Sequence, residues 1–331
     1  ISNFAKYKVK GAGAQQWLDA VFANKMPTEV GRSCLTPLIG VRGGIAGDAT
    51  VTKLADDEYW IVSSGMADRY QQRFYQMVPL PEGTTFESCA INTCGFNVAG
   101  PKSRELLQRI VDSEIDISNE AFPFMACGSL TVCGGVRARL FRISFSGELA
   151  YEVYAPTHHG QLIWDHLLQA GQPWELRPYG LEALASLRIE KGHVVGSEMD
   201  GRTTLDDLGA GKMASKIKPF WGDALRRSEH LARPDRPTLV GLEPAEDGAV
   251  PSNGAILFFA DDKIAGHGRG HITSTTYSKS LGKSIGLGLL QGGTSRVGQE
   301  IIAASPVQGR QYRLRVVDPC FLDAEGVRYR G

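Results

Sequence analysis

A repeat inside the first half of the chain constrains its fold more than any other feature. Set "YKVKGAGAQQWLDAVF" (7–22) on "FNVAGPKSRELLQRIV" (96–111), with Gly11 on Gly100. Val9 then falls on Val98, Leu18 on Leu107 and Val21 on Ile110. Each stretch reads as a short strand, a glycine turn and an amphipathic helix. Each continues into a hairpin: "DATVTKL", "ADDE", "YWIVSS" in the first copy, and "VRARLFRISF", "SGEL", "AYEVYAP" in the second. Helical stretches follow at 67–78 and 158–171. A closing strand, as in "FESCAI" (86–91) of the first copy, completes the pattern. The order predicts an α+β fold with two pseudo-repeated split βαβ, ferredoxin-like units. Related units side by side make a pseudo-symmetric interface, a common place for a ligand.

Two carboxylates sit on these hairpins. Asp48 lies in "RGGIAGDATVTKL" (42–54), where three glycines precede it and aspartate is a poor strand residue. Glu152 lies in "AYEVY". Each is either an ordinary strand-end acid or an acid turned toward a ligand. The turn "VKGAGAQQW" superficially suggests a phosphate cradle. It lacks the third glycine of G-x-G-x-x-G, and no acidic ribose partner follows about 20 residues on. Its sister "VAGPKSRELL" keeps the architecture without those glycines, so a structural turn is the better reading.

Composition narrows the function classes. A chain of 331 residues has room for two or three domains. Lys+Arg and Asp+Glu each total 36, so the balance carries no footprint for nucleic acid or an anionic membrane. No apolar run reaches the roughly 18–20 residues of a membrane span. The six cysteines include no CxxC pair, which argues against a zinc site or a disulfide framework. Scattered thiols of this kind suit a reducing compartment, the cytoplasm or, in a eukaryote, the mitochondrial matrix. The chain starts at Ile1 without a methionine, so an upstream piece is expected.

Residues 178–192, "PYGLEALASLRIEKG", read as a helix with Pro178 near its start and Gly192 as its cap. Arg188 falls on the apolar face of that helix. It either snorkels to the edge or is buried against an acid. Residues 196–213 are glycine- and acid-rich, hence loop, and "RRSEHLARPDRP" (226–237) reads as a boundary. Beyond it come "TLVGLEP", "AILFFA", "KIAGHGRGHITS", "SIGLGLL", "EIIAAS" and "YRLRVV", the pattern of a small antiparallel β-barrel or jelly roll. Three domains follow: 1–95, 96–235 with the helix, and 236–331.

Six stretches in this order resemble the folate-dependent aminomethyltransferase family, typified by the glycine-cleavage T-protein. They are "GGIAGDATV", "VAGPKSRELL", "ISFSGELAYEVY", "YGLEALASLRIEKG", "WGDAL" and "TSTTYSKSLGKSIGLG". "ISNEAFPFMACGSL", "FRISFSGELAYEVYAP" and the end "DPCFLDAEGVRYRG" are most similar to the branch formed by the folate-binding halves of dimethylglycine dehydrogenase and the sarcosine oxidase large subunit. The resemblance implies three domains around a central tetrahydrofolate. It implies that Asp48 is the catalytic carboxylate, with the glycines before it making room for the ligand. It implies that Glu152 hydrogen-bonds the pterin and that Arg188 neighbours that glutamate. Phe145 stands where the family often has tyrosine, so ring packing survives without the hydroxyl. Leu205 and Lys279 replace two usual prolines.

The implied function is transfer of a one-carbon unit from an amine-type donor to tetrahydrofolate, giving 5,10-methylenetetrahydrofolate. The alternatives are a folate-dependent demethylase giving 5-methyltetrahydrofolate, and a non-catalytic folate-binding assembly factor. The expected partners are a small-molecule one-carbon donor and either a flavin-dependent dehydrogenase domain or subunit or a lipoyl carrier protein. No nucleic acid, membrane or metal is expected.

Overall fold

The computed structural model describes residues 1–112, 115–246, 248 and 251–331. The first unit runs β1 (Ala5–Lys10), α1 (Ala14–Val21), β2 (Ser33–Ile39), β3 (Ile45–Ala55), β4 (Glu58–Ser63), α2 (Asp68–Gln76) and β5 (Thr85–Ser88). Its sheet has the order β2-β3-β4-β1-β5, antiparallel throughout. Four of these strands, β3-β4-β1-β5, are the split βαβ unit that the repeat predicts. The addition is β2, "SCLTPLI". Pro37 has no N–H to donate, which hides the strand in the sequence. An outermost strand tolerates that loss.

The second unit repeats the plan: β6 (Thr93–Ala99), α3 (Ser103–Gln108), β7 (Cys127–Val132), β8 (Val136–Phe141), β9 (Ala150–Pro156) and α4 (Gly160–Gly171). Its order, β7-β8-β9-β6, matches β2-β3-β4-β1. Among the described residues no strand fills the position of β5. The strand expected through Phe145 stops at Phe141. Arg142 turns inward instead and donates to the Phe122 carbonyl at 3.0 Å, while Ser144 Oγ closes the next turn on the Glu148 carbonyl at 2.6 Å.

Helix α1 buries Ala14, Trp17, Leu18 and Val21, the i, i+3, i+4, i+7 stripe, against one face of the first sheet. The opposite face meets the second sheet. There Trp60 and Val62 pack with Cys127, Phe141 and Tyr154, and the Arg139 guanidinium lies 4.7 Å from the Trp60 ring. Tyr154 of β9 thus lies in the seam between the two sheets.

Helix α5 (Leu181–Lys191) follows and stops at Gly192, whose φ of 76° is the left-handed cap that glycine favours. Its Ile189 packs on Leu239, Ile285, Leu287 and Leu289 of the last domain. That domain is a closed barrel of β10 (Pro237–Pro244), β11 (Ile256–Phe259), β12 (Gly270–Ser278), β13 (Lys283–Gln291), β14 (Glu300–Ser305) and β15 (Arg310–Val317). The order is β10-β13-β12-β11-β14-β15, closed by pairing of β10 with β15. The stretch "KIAGHGRGHITS" becomes strand only at Gly270, because Gly266 and Gly268 take left-handed φ values of 70° and 62°. No helix among the described residues is long and apolar enough to cross a membrane.

Candidate functional site

Asp48 sits on β3, opposite Pro37 of β2. Alternation along β3 sends Ala49 and Val51 into the core beneath α1 and α2, and turns Asp48 to the other face. The residue is half-buried. Among the described residues no side chain hydrogen-bonds or ion-pairs with its carboxylate. Burial therefore acts almost unopposed, and pushes the carboxyl up to about 6, with its own backbone N–H a smaller opposing influence.

The glycines before Asp48 make room for protein rather than for a ligand. A Cβ on Gly44 would lie 2.1 Å from the Gly201 carbonyl oxygen, and one on Gly47 would lie 2.7 Å from Gln71 Nε2. Gly47 also has a φ of 145°, which few side chains tolerate. The glycines let α2 and the 196–213 loop close on the strand end, and so fix Asp48 from behind.

Glu152 lies on β9, flanked by Asn97 of β6 and Phe141 of β8. It is 6% exposed. Tyr154 OH donates to Oε2 at 2.8 Å, and among the described residues no hydrogen bond engages Oε1. Burial raises the carboxyl above its usual range, against the lowering influences of the tyrosine hydrogen bond, of the Ile1 amino group and, after these, of Lys6. Beyond Asn97, at the outer edge of β6, lies a pocket of about 260 Å³ lined by Trp164, Leu176, Tyr179 and Leu181. Tyr179 OH donates to Asn97 Oδ1 at its rim.

Arg188 does not snorkel. It is 5% exposed, and its guanidinium pairs with the fully buried Glu198 at 3.4 Å. It also donates to the His193 carbonyl at 3.0 Å and to Ser274 Oγ of the barrel at 2.5 Å. Ser274 Oγ in turn donates to Glu198 Oε1 at 2.6 Å. The arginine thus ties α5 to the 196–213 loop and to β12. Among the described residues no hydrogen bond or ion pair joins it to Glu152. Phe145, in the loop after β8, stacks on His193 with ring centroids 5.8 Å apart, and its carbonyl bonds His193 Nδ1 at 3.0 Å. Phe145 and Arg188 therefore meet through His193.

Sequence reasoning missed Lys6, Tyr154 and Glu198. Lysines at 6, 8 and 10 alternate with Tyr7 and Val9, which reads as a solvated strand face, yet Lys6 is fully buried in the seam. The alternation that placed Glu152 on the seam face also placed Tyr154 there, and that signal was available. Glu198 lay inside a stretch read as open loop.

The arrangement offers two acceptor carboxylates without a strong cationic partner, one on each sheet. Comparisons with known proteins bear on the family rather than on these residues. Residues 1–218 match the model of the GCVT N-terminal domain, and residues 238–323 match that of the glycine cleavage T-protein C-terminal barrel domain. The chain is 36% identical over 340 residues to sarcosine oxidase subunit alpha of Rhizobium meliloti, covering 99% of this chain and 34% of that protein. It is 28% identical over 339 residues to mitochondrial dimethylglycine dehydrogenase of Mus musculus, covering 100% of this chain and 37% of that one. It is 26% identical over 337 residues to an aminomethyltransferase of Desulforamulus reducens, covering 98% and 86%. The chain thus spans about a third of the length of its sarcosine oxidase relatives. The crystal structure of the glycine cleavage system aminomethyltransferase T from Bartonella henselae shares the fold, with a TM-score of 0.82 at 20% identity over 97% of this chain and 85% of that one. The chain belongs to the glycine cleavage T-protein family, a family of enzymes.

Proposed function

We propose that this chain binds tetrahydrofolate in the seam between the two sheets and passes a one-carbon unit onto it. The observation that carries the reading is one acid on each sheet, turned away from the helix-covered core: among the described residues Oε1 of Glu152 has no hydrogen bond and the Asp48 carboxylate has no side-chain partner. Bound tetrahydrofolate supplies the two nitrogens that receive the one-carbon unit. Its pterin edge presents an amide N–H and an amino group, both donors. Glu152 accepts them, with Tyr154 fixing Oε2 so that the carboxylate faces one way. Phe145 packs against the ring system, braced by His193. Arg188 holds that region together through Glu198 and Ser274 rather than touching Glu152.

Asp48 takes and returns a proton at the nitrogens and offsets positive charge on the arriving donor. A carboxyl near 6 is suited to both, since it is mostly ionised at neutral pH and still basic enough to accept a proton. Relatives named for sarcosine and dimethylglycine chemistry support an oxidised N-methyl amine, or the formaldehyde it releases, as the donor. A flavin-dependent domain or subunit would carry out that oxidation. The product is then 5,10-methylenetetrahydrofolate.

The test is a single-turnover reaction of the chain with tetrahydrofolate and limiting formaldehyde, read by mass of the folate product. The expected result is 5,10-methylenetetrahydrofolate formed faster than without protein. Formation at the uncatalysed rate, with folate shown by calorimetry to be bound, would sink the transfer reading. Absence of binding would sink the folate reading as well.

A further inference from the structure

The seam holds one more ionisable group that the reading above leaves without a task. Lys6 projects from β1 toward the second sheet and is 0% exposed. A lysine so placed normally has a carboxylate beside it. Among the described residues no carboxylate lies within ion-pair distance of Lys6. Its ammonium donates to the Ser2 carbonyl at 2.9 Å and the Phe4 carbonyl at 2.8 Å, which leaves one of three donors uncommitted. The Nζ stands 5.6 Å from the centroid of the Tyr154 ring. That same Tyr154 donates its hydroxyl to Glu152. The lysine, the tyrosine and the glutamate thus form one assembly across the seam.

We propose that Lys6 is a positioning residue for ligand binding, holding Glu152 ionised so that the carboxylate can accept two ligand donors. The inference rests on Glu152 being the pterin acceptor. A protonated Glu152 would present a donor to a donor, and the pair would be mismatched. Burial drives Glu152 toward that protonated state, and cations close to it oppose this, the Ile1 amino group and Lys6, of which the lysine is the side chain built into the strand. Burial also brings the lysine itself down to about 8, so it still carries its charge at neutral pH. The two carbonyls explain why the ammonium stays in place rather than collapsing onto the carboxylate, which keeps Oε1 free for the ligand. Other titratable groups face this assembly: Tyr154, Tyr179 before α5, Cys94 on β6 and the amino group of Ile1. Lys6 acts on the Ile1 amino group and the Cys94 thiol as well, so the charge-keeping Lys6→Arg is the control for effects that run through them.

The test is the affinity for tetrahydrofolate measured by calorimetry between pH 5 and 8, together with the melting temperature at each pH. In Lys6→Met, and in Lys6→Gln, the acid limb of the affinity profile should move to higher pH by more than about 0.5 unit, as expected when a neighbouring opposite charge is removed. Lys6→Arg keeps the charge, and its limb should stay within about 0.3 unit of wild type. Neutral variants that fold and show an unmoved limb would reduce Lys6 to seam packing. A moved limb in Lys6→Arg overturns the proposal even where the neutral variants do not fold. Glu152→Gln separates the two levels. If it binds folate as wild type does, the assignment of Glu152 fails and the role of Lys6 falls with it. If it binds weakly while Lys6→Met is unchanged, only the lysine proposal fails.

Discussion

The two α+β units share a strand order but not an acid. In the first, the functional candidate is Asp48 on β3, the leading strand of its hairpin. In the second it is Glu152 on β9, the trailing strand of its hairpin. The equivalent positions are not both acidic, so the repeat supplies a scaffold and each copy has gone its own way chemically. Their surroundings differ in the same sense. Among the described residues Asp48 has no side-chain partner, and burial holds it near 6. Glu152 has a tyrosine hydrogen bond and a buried lysine close by. The edges differ too. The first sheet has β5 beside β1, while the outer edge of β6 opens on a pocket instead. A weakly partnered acid of raised basicity suits proton transfer. An acid fixed on one oxygen suits binding.

Asp48→Asn bears hardest on that division of labour. Turnover should fall by about 10²–10⁴-fold, the usual contribution of a general acid–base group, while folate affinity changes little. The wild-type rate should rise through about pH 6 as Asp48 ionises, and this limb should vanish in the variant. Single-turnover rates at saturating folate, with affinity measured separately, provide the check. A variant that retains more than about a third of the rate would remove the asymmetry between the units, since that loss is far below the acid–base range.

Arg188→Ala comes next in size. Deleting one partner of a buried pair strands Glu198, at a cost of about 3–5 kcal/mol of stability. Chemical denaturation reads it directly, and a loss below about 0.5 kcal/mol would indicate a surface position. Glu152→Gln should cost about 1–3 kcal/mol in folate binding with little change in melting temperature. Affinity loss in Glu152→Gln without rate loss at saturation, set against the reverse in Asp48→Asn, is the sharpest form of the contrast.

Much of this was legible in the sequence because it is periodic. Val9 on Val98 and Leu18 on Leu107 reveal a repeated strand and helix, and turns at regular spacing reveal the barrel. Features that break the period were hidden. The strand β2 carries Pro37 and does not read as a strand. The stretch "FRISF" reads as strand, but Arg142 and Ser144 spend their hydrogen bonds on the loop instead. The site was half visible. Asp48 and Glu152 stand out as acids in strands, yet Arg188 found its carboxylate in Glu198, ten residues on in an apparent loop. Lys6 was disguised by Lys8 and Lys10, which share its face in sequence but not its burial. Alternation gives the face of a residue, and only the packing of one sheet on another decides which end of that face stays dry.

The smallest effect tests the cost of keeping Asp48 as it is. Its carboxyl lies near 6 in the fold, against 3.8 in an unfolded chain. Between those values the folded protein binds more protons than the unfolded one, so stability falls as pH rises from about 4 to about 6 and stays lower above it. The full shift corresponds to no more than about 3 kcal/mol, and for a half-buried group a value near 1 kcal/mol is the better expectation. Asp48→Asn removes this penalty. The variant should therefore melt higher than wild type at pH 7, and the gap should close below about pH 4, where Asp48 is protonated in both states. A loss of stability in Asp48→Asn at pH 7 would mean that the carboxylate is needed by the strand end, and that the first unit uses its acid for structure as the second uses Arg188.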